Sequence, residues 1–168
     1  MKLPSDPLTW LHSIKLELKC DNTAIAQHLL ARSLQACPSS GRLWALAIEM
    51  EPQATRLRKS TDAVNHAKTD PYVFIAIGKI FWVEKKLTKA RKFFERATEL
   101  EKDNGDPWLY RLALEKSSGD AANVQKVKAD FLKADPKHGE LWCMHRKKPE
   151  NWRRDKFDLL SSIPVTLP

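Results

Sequence analysis

Large aromatic residues return along this chain at a fixed interval. Trp10 to Trp44, Phe74 to Trp108 and Trp108 to Trp142 are each separated by 34 residues, and only the step from Trp44 to Phe74 is shorter. Three of these tryptophans are followed at +7 by a glutamate, as Trp10/Glu17, Trp44/Glu51 and Trp108/Glu115. Four Asp-Pro pairs, at 6/7, 70/71, 106/107 and 135/136, fall between apolar segments, where proline stops one helix and aspartate caps the next. A period of this length is that of one supersecondary unit stacked on its copies, because a single unit cannot bury its apolar face alone.

The stretch Asp70 to Leu100 shows what the unit is. From Tyr72 to Trp82 it is apolar except for Gly78 and Lys79, as expected of an inner helix with neighbours on several sides. Leu87, Ala90, Phe93, Phe94, Ala97 and Leu100 then follow at steps of three or four, which places them on one helical face. The pair reads as a helical hairpin, and the same pattern predicts hairpins at about 7–37, 40–67, 70–102, 106–134 and 138–161. In the second hairpin Leu57, Ala63 and Val64 are expected to face inward, and the fifth is expected to end in a helix containing Trp152, Phe157, Leu159 and Leu160. The predicted fold is all-α, a right-handed α-solenoid of about five antiparallel hairpins forming a single array over 1–168. Trp10, Trp44, Phe74, Phe81, Phe94, Trp108 and Trp142 are its expected repeat core.

Composition narrows the function classes. With 42% hydrophobic residues, 30% charged and only five glycines, the chain reads as soluble and helix-rich rather than disordered. Its longest apolar run, Tyr72 to Val83, is interrupted by Lys79 and is far shorter than a membrane span. The N-terminus lacks the apolar run of a secretion signal, and Cys20, Cys37 and Cys143 are odd in number and widely spaced, so a reducing compartment is expected. The scattered glycines form no phosphate-cradling loop, and there is no Cys-x2-Cys pair or His-Glu-x2-His helix. His138, Cys143 and His145 are close in sequence but lack a fourth ligand at suitable spacing. No catalytic residue, metal, cofactor or small-molecule substrate is therefore expected.

The net charge of +8 and a pI near 9.5 favour acidic partners, and the excess is concentrated in two places. Arg56 to Lys68 holds four basic residues and one acidic, and His145 to Lys156 holds six basic and two acidic. Arg56, Arg58, Lys59, Arg146, Lys147, Lys148, Trp152, Arg153 and Arg154 are the candidate contacts to a partner protein or RNA, the alternative being solvated helix faces. Trp152 either packs on the last hairpin or, if exposed among its arginines, can stack on a base. A one-base-per-repeat code would need matching polar residues at one inner-helix position in every hairpin, and no such series is evident.

The W-x6-E pattern, with the element Ala90-Arg91-Lys92-Phe93-Phe94-Glu95-Arg96-Ala97, resembles the HAT repeat, the half-a-tetratricopeptide family of RNA-processing proteins, from about residue 7 to 147. The third hairpin, with Phe74 and Phe81 in place of tryptophan and glutamate, is closer to a plain tetratricopeptide (TPR) repeat. More narrowly, Ser40-Gly41-Arg42-Leu43-Trp44, Lys79-Ile80-Phe81-Trp82, Thr88-Lys89-Ala90-Arg91, Gly105-Asp106-Pro107-Trp108 and His138-Gly139-Glu140-Leu141-Trp142-Cys143 with Asn151-Trp152 occur in an order similar to the C-terminal end of the spliceosomal pre-mRNA-processing factor six family. That resemblance implies a nuclear, non-enzymatic scaffold in mRNA splicing that bridges tri-snRNP components through contacts with other splicing proteins. The alternative it leaves is a helical-repeat RNA-binding module contacting snRNA or mRNA phosphates through basic faces. Because that family has a long N-terminal array, the chain is expected to be a C-terminal fragment of a longer repeat protein.

Overall fold

The computed structural model describes residues 5–167, and in them the backbone is helical. The elements are α1 (Pro7–Lys19), α2 (Thr23–Ala36), α3 (Gly41–Met50), α4 (Gln53–His66), α5 (Pro71–Val83), α6 (Leu87–Leu100), α7 (Gly105–Ser118), α8 (Ala121–Ala134), α9 (Glu140–Arg146), a 3-10 turn (Pro149–Asn151) and α10 (Lys156–Ser162). Sequence-adjacent helices pack as hairpins, which is the all-α repeat class expected. The chain divides into two compact units, Met1–Ala76 and Ile77–Pro168.

In the first unit, the Asp6 carboxylate starts α1 by accepting from the Leu8 and Thr9 N–H groups at 3.3 and 2.9 Å. Trp10, Leu11 and Ile14 of α1 are buried, as are Ala26, Leu30 and Ser33 of α2. In α3 Trp44 is buried, its Nε1–H donates to the Pro38 carbonyl at 2.7 Å, and its ring stacks on His66 of α4 at 4.9 Å. Asp70 ties two helix starts together: its carboxylate accepts from Gly41 N–H of α3 at 2.8 Å and from Tyr72 N–H of α5 at 3.0 Å. Leu57 does not face inward as expected, being 46% exposed. The inward face of α4 is instead set by Arg56, which reaches back to the Glu51 and Glu49 carbonyls at 2.9 and 3.3 Å, with Ser60 and Ala63 buried behind it. Satisfying those orphan carbonyls of α3 rotates Leu57 outward.

The second unit is built on aromatics. Phe81 stacks on Phe93 at 5.3 Å, and Phe94, fully buried, meets Trp82 edge-on at 6.1 Å and Tyr110 at 5.9 Å. The Phe94 ring lies where a Cβ on Gly78 would stand, so this helix approach requires glycine. Farther along, Phe131 of α8 sits edge-on to both Trp108 and Trp142, at 6.1 and 5.5 Å, in a core completed by Leu112, Leu159 and Leu160. Trp108 and Trp142 donate their Nε1–H to the Lys102 and Pro136 carbonyls at 3.1 and 2.9 Å. Of the expected repeat core, Trp10, Trp44, Phe94, Trp108 and Trp142 are buried, whereas Phe74 and Phe81 are half-buried.

Three junctions differ from the sequence reading. The N-cap of α7 is Asn104, not Asp106: Asn104 accepts from the Asp106 N–H at 3.0 Å, and the Asp106 carboxylate accepts from Glu140 and Trp142 N–H at 2.8 and 2.9 Å, at the start of α9. Asp135 ends α8 in the left-handed region (φ 44°) and does not cap a following helix, since α9 begins only at Glu140. Trp152 lies outside the last helix: Asp155 accepts from Phe157 and Asp158 N–H at 2.9 and 3.1 Å, so α10 opens after it.

An ion pair with a buried carboxylate joins two helices of the second unit. Arg91 of α6 donates bidentately to Glu115 of α7, at 2.6 and 2.8 Å, and Glu115 is 2% exposed. This glutamate is the one that follows Trp108 at +7, and its hydrogen bonds hold the Arg91 guanidinium above the usual arginine range.

Two outcomes follow for stability. Phe94→Ala and Trp108→Ala each lower the unfolding free energy in urea by about 3–5 kcal/mol, and Gly78→Ala also destabilises, although alanine is the better helix former by about 1 kcal/mol, because its methyl group meets the Phe94 ring; an unchanged or higher midpoint for Gly78→Ala contradicts that contact. Arg91→Ala costs about 3 kcal/mol by leaving a buried carboxylate unpaired, while Arg91→Met combined with Glu115→Leu loses less than Arg91→Ala alone; equal losses would show that the charge is not effectively buried.

Candidate interaction surfaces

The first basic segment, in the first unit, is mostly engaged internally. Arg56 is bound to the end of α3, and Lys59 pairs with Glu51 at 3.0 Å. The hydrogen bond from Lys59, then that from Thr55, holds the Glu51 carboxyl below the usual carboxylate range. Arg58 faces solvent. Three basic residues close in sequence therefore present one outward charge, because an α-helix turns Arg56 and Lys59 toward α3 and Arg58 away from it.

The second segment behaves differently. Arg146 is structural: it donates to the Pro136 carbonyl at 3.0 Å and lies over the Trp142 ring at 5.8 Å. Lys156 is also withdrawn, bonded to Asp135 at 2.5 Å, and this contact holds the Asp135 carboxyl below its usual range. Lys147, Lys148, Arg153 and Arg154 remain exposed around Trp152, which is 76% exposed rather than packed on the last hairpin. The loop that carries them is anchored from beneath. Asn151 is buried, donates its Nδ2–H to the His145 carbonyl at 2.9 Å, and accepts from Arg154 at 3.2 Å.

Each unit also has a groove in which two outer helices flank an inner one. In the first unit it has a volume of about 270 Å³ and is lined by Leu30 and Leu34 of α2, Ala47 and Met50 of α3, and Lys59 of α4. In the second it has about 540 Å³ between α6 and α8, over Trp108 and Arg111 of α7. Arg111 is buried on the floor and reaches Asp130 on one wall at 3.2 Å and Glu95 on the other at 3.8 Å, with its guanidinium 5.3 Å from the Trp108 ring centre. Sequence reasoning singled out none of Glu95, Arg111 and Asp130 as a site, since they lie on three helices and share no local motif.

Among the described residues no group of three or more His, Cys, Asp or Glu is placed to hold a metal, and no helix is long and apolar enough to cross a membrane. His138 pairs with Asp103 at 3.1 Å, Cys143 donates to the Lys137 carbonyl at 3.2 Å, and His145 contacts the Leu141 carbonyl at 3.0 Å, so each of the three has a separate local partner. What the fold provides is helical-repeat surface.

No family model matches the chain. Pre-mRNA-processing factor 6 of Homo sapiens is 39% identical to it over 108 residues, 64% of this chain and 12% of that protein. Pre-mRNA-splicing factor prp1 of Schizosaccharomyces pombe is 36% identical over 162 residues, 95% of this chain and 18% of that protein. The chain thus spans less than a fifth of the length of these relatives. Among solved structures, the MamA RS-1 ArsTM double mutant superposes with a TM-score of 0.54 over 79% of this chain and 77% of that one, at 12% identity, a likeness of fold alone. The chain is a TPR- and HAT-like helical-repeat protein distantly related to these splicing factors.

Proposed function

We propose that this chain acts in the nucleus as part of a non-enzymatic scaffold for pre-mRNA splicing, bridging protein components of the tri-snRNP through its helical-repeat surfaces. The observation that carries the reading is the 36% identity to a pre-mRNA-splicing factor over 162 residues, 95% of the chain. The physical argument agrees: hairpins locked by buried tryptophans offer area at fixed spacing rather than a reactive cleft. Direct binding of snRNA or mRNA phosphates is the weaker reading, because Arg56, Lys59, Arg146 and Lys156 of the two basic segments are turned to partners within the chain.

Used as bait in nuclear extract, the chain retrieves splicing proteins, and retrieval survives nuclease treatment. Deleting His138 to Pro168 impairs particle assembly without removing a chemical step. Retrieval of RNA alone after stringent washing, or of nothing from the splicing machinery, overturns the assignment and leaves the repeat fold intact.

A further inference from the structure

The strongest unassigned feature is the loop between α9 and α10. Trp152, at 76% exposure, is the only exposed aromatic among the described residues. Nothing about the loop suggests a ring left outside by loose packing. Asn151 fixes the loop from below through the His145 carbonyl, Asp155 fixes its far end by capping α10, and the Arg153 guanidinium lies 5.3 Å from the Trp152 ring centre. The ring is held outward on a braced turn. The same loop carries Lys147, Lys148, Arg153 and Arg154, all exposed, against one exposed carboxylate, Glu150, that has no capping role; Asp155 is engaged at the start of α10.

We infer that this loop is a docking point for an acidic protein segment, with Trp152 entering an apolar recess on the partner and the four cations meeting carboxylates around it. The inference rests on the scaffold reading and names the chemistry of one of its contacts. A single tryptophan ringed by charged side chains is the composition of an interface hot spot, where one aromatic anchor is desolvated at the centre and the rim sets orientation. Single-stranded RNA fits less well. Successive bases need successive stacking platforms, whereas here there is one ring, with Arg153 close to it and Glu150 in the same loop to oppose a phosphate backbone.

The test is a displayed library of random peptides selected on the wild-type chain, followed by anisotropy measurements with the selected peptides and with a labelled oligouridylate. The expected consensus is one or two large apolar residues flanked by Asp and Glu. Trp152→Ala weakens binding roughly tenfold or more, Lys147→Glu with Lys148→Glu weakens it further as salt is lowered, and circular dichroism stays unchanged because these side chains are exposed. Selected peptides without acidic character, or binding indifferent to Trp152→Ala, overturn the inference. Oligouridylate binding that is tighter than the peptides and lost in Trp152→Ala reassigns the loop to RNA. Retrieval of splicing proteins that is equally strong with Trp152→Ala removes this loop as a contact while leaving the scaffold standing.

Discussion

The indole N–H of the repeating tryptophan is the interaction on which the second, fourth and fifth hairpins depend. A buried indole gains from its large apolar area only if its one polar atom finds an acceptor. Trp44, Trp108 and Trp142 solve this in the same way, donating to the carbonyl six residues earlier: Pro38, Lys102 and Pro136. That carbonyl belongs to the junction leading into the helix, so one hydrogen bond fixes both the entry of the chain and the depth of the ring. The 34-residue recurrence in the sequence is the trace of this device. Phe74 breaks the series, since phenylalanine has no N–H to satisfy, and it is only half-buried.

A second device links neighbouring hairpins within each unit. Asp70 serves the starts of α3 and α5, and Asp106 serves α9 from a position inside α7. A carboxylate can accept several N–H bonds, and the N-terminus of each helix offers donors that nothing else satisfies. Close approach makes the arrangement possible: a Cβ on Gly105, at the start of α7, would collide with the Trp142 ring of the hairpin that Asp106 caps. Tryptophan, aspartate and glycine thus act as one joint, and loss of any of them disturbs the other two.

The same internal bonding decides how the charge is used. A formal net charge of +8 overstates what a partner meets, because Arg56, Arg91, Arg111, Arg146 and Lys156 are bound to carbonyls or carboxylates inside the fold. The loop around Trp152 keeps four cations outward, Lys147, Lys148, Arg153 and Arg154. Surface charge that is not locked into the framework is what steers and orients a partner.

The helical class, the hairpin grammar and the buried face of most helices were legible in the sequence, because a 3.6-residue apolar period and a 34-residue aromatic period are local, one-dimensional signals. Caps were less legible: Asp106 and Asp70 look alike in sequence, but Asn104 two residues earlier caps α7 and Asp106 serves a different helix. The two basic segments were legible in composition alone. Counting lysines and arginines pointed equally to 56–59 and to 146–154, but which cations face solvent is set by helix phase and by distant acceptors such as Pro136 and Asp135. Trp152 was ambiguous for the same reason. A tryptophan in an apolar-rich chain is ordinarily buried, and only the caps supplied by Asn151 and Asp155 decide that this one is turned out.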